Sequence, residues 1–129
     1  MDELHFSKLF TIEEANRTLP LVKRIVADIL ESGQWLRAFQ REYGEAAEKL
    51  PAFQDKLHRL QTYIDELEAL GCFFKDWNFE LGLVDFPARI NNKIVFLCWR
   101  SDEVSIQYYH EIEAGYAGRK KLPESFSEQ

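Results

Sequence analysis

Two cysteines, Cys72 and Cys98, are too few and too far apart for a disulfide framework, and neither sits in a CxxC or Cys/His spacing that would hold structural zinc. Reduced thiols and a cytoplasmic location are the default reading. Long apolar runs are missing too. The longest, Ile94 to Trp99, is far too short to cross a bilayer, so no membrane insertion is expected. The opening stretch, Met1 to Phe10, carries Asp2 and Glu3 and lacks the apolar segment of a signal peptide. Basic clusters are also absent: the net charge is -6 and no stretch gathers Lys and Arg on one face, which argues against nucleic acid as a partner. There is no H-E-x-x-H pair, phosphate loop or recognisable catalytic triad, nor any internal repeat or low-complexity linker.

What remains fits one α+β domain over residues 1–129, divided into a helical hairpin part (1–70), a β-meander and site part (71–119), and a mobile tail (120–129). Thr11 can cap a helix, with Glu14 completing a capping box. Pro20 then predicts a break, giving a short helix from Ile12 to Thr18 and a second, longer one that begins around the proline. From there Val22, Ile25, Ile29, Ser32, Leu36, Phe39, Tyr43, Ala46 and Leu50 recur by threes and fours. Phe53, Leu57, Leu60, Ile64 and Leu67 continue the phase, an a/d pattern typical of coiled coils. Pro51 predicts a hairpin in place of one long rod, with the connection between Gly44 and Ala52. Helices of about 25 to 30 and about 20 residues would result, the longer spanning roughly 40 Å. Such a helix outruns a small sheet, and the surplus seam points to a homodimer or to another protein partner. Gly71 predicts the end of the second helix, and Lys75-Asp76-Trp77-Asn78 a polar turn.

The sheet-forming stretch runs from Leu81 to Arg119. Asn91-Asn92 between Leu83–Ile90 and Lys93–Arg100 predicts a two-residue hairpin loop, because Asn tolerates positive φ. That sets Val84 opposite Trp99, Phe86 opposite Leu97 and Asp85 opposite Cys98. A second two-residue loop at Asp102-Glu103 would set Trp99 opposite Ile106 and Leu97 opposite Tyr108, making a three-stranded antiparallel meander. One face would be apolar: Val84, Phe86, Ile90, Leu97, Trp99, Val104, Ile106 and Tyr108. The other, with Asp85, Arg89, Phe96, Cys98, Arg100, Ser105, Gln107 and Tyr109, is half polar and half aromatic, suited to a ligand or partner.

Beyond the third strand, His110 and Glu113 would share one side of a short helical turn, accessible to solvent. An imidazole and a carboxylate are a legitimate divalent-metal set, and Asp85 or Asp76 could add an oxygen. Asp85 itself reads first as half of a structural ion pair with Arg100, its diagonal neighbour, or Arg89 on its own strand. With a carboxylate opposite it, Cys98 is not read as a nucleophile. Arg119 could bind an anion or tether the last turn to the sheet.

The segment KDWNFELGLVDFPARINNKIVFLCWR…YYHEIEAGYAGR, and more loosely FTIEEANRTLP, resembles an uncharacterised bacterial family, domain of unknown function 2203. The resemblance is carried by GLVDFPA, LCWR and HE-x-EAG-x-x-GR in that order. Asp76, Asp85, Pro87, Cys98, Trp99, Arg100, His110, Glu111, Glu113, Gly115 and Arg119 fall on its motifs. It implies a helical hairpin followed by a small sheet, and some members are described as similar to coiled-coil division proteins, but it brings no activity. Tyr109 stands where a Trp is usual, and Asn92 and Asp102 where Gly is. Taken together, the chain reads first as a non-enzymatic, self-associating interaction module without a cofactor. The alternative is a small metal- or ligand-binding domain or enzyme built on His110, Glu113 and Asp85.

Overall fold

A computed structural model describes residues 6–123. Its fold is α+β: two helices and a five-stranded antiparallel sheet share one core.

Helix α1 runs without interruption from Ile12 to Tyr43. The Thr11 hydroxyl accepts from the Glu14 amide and the Glu14 carboxylate from the Thr11 amide, each at 3.0 Å, so the capping box forms. Pro20 lies inside this helix, correcting the expected short first helix. The reason is positional. Pro20 faces solvent, whereas Ile12, Ala15, Leu19, Val22, Ile25, Val26 and Ile29 form a buried stripe on both sides of it. Burial along that stripe outweighs the single hydrogen bond a proline removes. A 3-10 turn, Gly44–Lys49, then leads to α2, Pro51–Ala69, opened by Pro51 as expected. The heptad phase fails at the turn: Ala47 is buried where Ala46 was expected, and Tyr43 and Leu57 are exposed. Gly71 closes the hairpin at φ 101°, donating to the Glu68 carbonyl.

The sheet order is β1 (Phe73–Phe74), β2 (Leu83–Ile90), β3 (Lys93–Arg100), β4 (Tyr108–Glu111) and β5 (Lys120–Lys121). Five strands replace the expected three. Each outer strand has only two residues, too short for a periodicity to reveal. Lys120 and Lys121 thus belong to the sheet and the Leu122 amide donates to the Gln107 carbonyl, while 124–129 of the expected tail lie outside the described residues.

Asn91 and Asn92 take φ of 53° and 64°, and Val84, Asp85 and Phe86 face Trp99, Cys98 and Leu97 as read. The next connection differs. Leu97 pairs with Tyr109 and Cys98 with Tyr108, one residue from the expected register. The loop is longer, because Trp99 Nε1 donates to the Glu103 carbonyl at 2.8 Å, the Glu103 carboxylate accepts from the Arg100 amide, and Asn16 on α1 accepts from the Ile106 amide. Val104 is exposed, Ile106 plugs the core from the loop, Tyr108 changes faces, and His110, expected past the strand, joins it on the same face. Face A, with Val84, Phe86, Ala88, Ile90, Val95, Leu97 and Trp99 buried, joins the core shared with the helices. Face B, bearing Asp85, Phe96, Cys98 and His110, is covered by Phe6, Phe73 and the chain beyond β4.

Between β1 and β2 the loop hangs from Asp76, whose carboxylate accepts from the amides of Asn78, Glu80 and Leu81 at 3.1, 2.9 and 2.6 Å. Phe79, at φ 59°, lays its ring on Gly33 of α1, where a Cβ would come within 2.2 Å of it. Trp77, half exposed, borders with Phe79, Leu36, Phe53 and Leu57 an apolar groove of about 520 Å³ between the helices.

Candidate functional site

Face B explains why three polar side chains meet under the sheet's cover. Cys98 lies on the central strand β3, with Asp85 directly opposite on β2 and Tyr108 opposite on β4. His110 is one face-position further along β4. Because the cysteine side chain is short, Asp85 and His110 lean over it from either side and touch. His110 Nε2 lies 3.1 Å from each Asp85 oxygen, and its Nδ1 donates to the Glu111 carbonyl at 2.8 Å. Potential ligand atoms of Asp85, Cys98 and His110 all fall within 4.8 Å of one another. The three residues are 4, 1 and 2 % exposed.

The carbonyl at Nδ1 accepts and cannot donate, so the tautomer is fixed and Nε2 is the nitrogen that exchanges its proton toward Asp85. Burial alone would lower the imidazolium pKa. The hydrogen bond to Asp85, a contact with Cys98, the Glu111 carbonyl and the Asp85 charge outweigh it and push the pKa up to about 10. With both ring nitrogens already facing acceptors, His110 has no free lone pair to activate a nucleophile, which argues against a Cys-His-Asp catalytic triad.

Around the cluster, Arg119 donates from Nε to Cys98 Sγ at 3.4 Å, and from its terminal nitrogen to the Cys98 carbonyl at 3.1 Å and to Glu103 at 2.6 Å. Its guanidinium lies over the Tyr108 and Tyr116 rings. It is the tether of the last turn, the second of the two roles open to it. Phe96 sets its ring edge against His110, and Lys75 holds its ammonium above Phe96. A cavity of about 250 Å³ opens onto Asp85, Cys98 and His110, its remaining wall formed by Lys75, Leu83, Gly115 and Tyr116. Elsewhere Cys72 is fully buried, and burial pushes its thiol up to about 12.

The expected ion pairs of Asp85 are replaced. Arg100 donates to Asp102 at 2.6 Å and to the Tyr116 hydroxyl at 2.8 Å, and Arg89 is exposed, without an acidic partner among the described residues. Arg100 is drawn to the nearer acid two residues on, where pairing needs no burial of either charge. Glu113 is exposed and lies outside the cluster, because the strand continues through His110 to Glu111 where a helical turn was expected. For the same reason His110 is buried and not accessible past the strand. Asp76 is occupied in its own loop. The potential ligand that the sequence reading left out is Cys98. Its place opposite Asp85 was legible from the Asn91-Asn92 turn; what was hidden was the one-residue slip that brings His110 to it.

No helix among the described residues is long and apolar enough to cross a membrane. No curated protein and no solved structure matches the chain. The sequence profile of the family described as "Uncharacterized conserved protein (DUF2203)" matches residues 8–122, and the chain belongs to that family.

Proposed function

We propose that this DUF2203 member is a small cytoplasmic metal-binding domain, with Asp85, Cys98 and His110 as ligands and the adjoining cavity as the metal's open coordination position. The observation that carries this reading is the convergence of one oxygen, one sulfur and one nitrogen donor within 4.8 Å, at the floor of a cavity. Nitrogen and thiolate donors favour zinc over magnesium or calcium, and three protein ligands with a fourth position open is the pattern of catalytic zinc. The Nδ1 bond to a backbone carbonyl supports it further, since metal-bound histidines are oriented in this way from the far side of the ring. The 3.1 Å between Nε2 and the Asp85 oxygens is close to the roughly 3.3 Å separating two tetrahedral ligands at 2.0 Å. A metal would take the place of the proton that the two groups share. Chelator-stripped protein given zinc at 100 times its dissociation constant should gain about 2.7 kcal/mol, a melting shift of about 10 °C. Cys98→Ser and His110→Ala should lose the shift. No shift with zinc, manganese or nickel, added singly, overturns the reading.

A second reading, self-association as a homodimer, is favoured by the apolar groove beside the exposed Leu57 and Trp77. A second copy of the same face would close it with two-fold symmetry. Light scattering on a gel-filtration peak at tens of micromolar should give twice the chain mass; a monomeric mass rejects this reading.

A further inference from the structure

We infer that the cavity over Asp85, Cys98 and His110 takes a small carboxylate, bound by one oxygen to the metal and held by Lys75. This rests on the metal reading above. Lys75 lines the cavity from the end of β1, its ammonium 5.6 Å from the Phe96 ring centre and 6.0 Å from that of Phe73. Among the described residues it has no acidic partner, whereas the two other cations near the site are answered: Arg119 by Glu103 and Arg100 by Asp102.

The charge of the cavity follows from its lining. Metal ligands bind deprotonated, so the two charges of a zinc ion are cancelled by the Asp85 carboxylate and the Cys98 thiolate, with His110 neutral. Lys75 then leaves one positive charge uncompensated. The loaded pocket is then complementary to a single negative charge. Leu83 and the Tyr116 ring complete the wall with apolar surface, which suits the carbon body of an organic acid better than a fully hydrated inorganic anion. Gly115, at φ 64°, turns the chain at the cavity wall in a conformation that a side chain would strain.

The experiment uses the full chain loaded with cobalt(II), whose visible bands report both thiolate ligation and the fourth ligand. Titration with acetate should change those bands saturably, while acetamide, of the same shape but uncharged, should not. Lys75→Ala should weaken acetate binding about tenfold and leave cobalt affinity unchanged. If cobalt binds with its thiolate band and acetate acts no differently from acetamide, or acts equally on Lys75→Ala, the carboxylate inference is overturned and the metal reading stands. If no cobalt–thiolate band forms, both fall together.

Discussion

Replacing Asp85 with Ala should destabilise the metal-free protein by about 3–5 kcal/mol at pH 6, because the partner that remains is a buried imidazolium with no counter-charge. His110 can escape that state by losing its proton, which an arginine cannot do. The deficit should therefore shrink as pH rises, toward the 1–2 kcal/mol or so of a lost hydrogen bond. Urea melts of the two proteins at pH 6 and pH 9 check this. A deficit independent of pH would mean that the carboxylate answers an arginine after all, and a deficit near zero at both would mean that it is solvated.

The stability of the unmutated, chelator-treated protein should itself fall with increasing pH. The His110 pKa is raised in the fold, to about 10 against an ordinary 6.5. Its contribution is then fully present below pH 6.5 and is lost as pH climbs to about 10, because the folded state holds a proton that the unfolded state has released. The groups facing the ring are Asp85 from β2, Cys98 from β3 and the Glu111 carbonyl on its own strand, with Arg119 beyond the thiol and Lys75 at the rim. The two cations oppose the effect and Asp85 drives it. We expect a loss of about 3–5 kcal/mol across that window, and almost none in His110→Gln. A flat profile in the native protein would show that the fold does not raise the pKa of the ring.

These expectations depend on a register that the chain only half discloses. The Asn91-Asn92 turn is local, since two residues able to take positive φ announce the hairpin and thereby put Asp85 beside Cys98. The turn after β3 is not local. Its length is set by Trp99 reaching the Glu103 carbonyl and by Asn16, far away on α1, holding the Ile106 amide. Alternation of apolar residues favoured the shorter loop because it placed Val104, Ile106 and Tyr108 on one face. In the fold Ile106 is buried without being in a strand, and Val104 is not buried at all. One residue of slip, with the strand running on past Tyr109, was enough to bring His110 beside Cys98 and Asp85. Pro20 shows the same limit differently: a helix breaker by local chemistry, it is carried through by a stripe whose burial depends on the shared core. The class of fold, the capping box, Pro51 and Gly71 were readable because each is decided within a few neighbouring residues.

The loop between β1 and β2 ties together two regions that would otherwise ignore each other. Its one end supplies Lys75 to the cavity on face B, and two residues later Trp77 borders the groove between the helices, with Phe79 seated on Gly33. Asp76, between them, holds the rest of the loop by accepting from the amides of Asn78, Glu80 and Leu81, while the Lys75 amide donates to the Leu83 carbonyl. The groove and the cavity therefore share one short stretch of chain, held by its own hydrogen bonds. A single short loop thus contributes a wall to the groove of the hairpin and to the cavity on the sheet face alike.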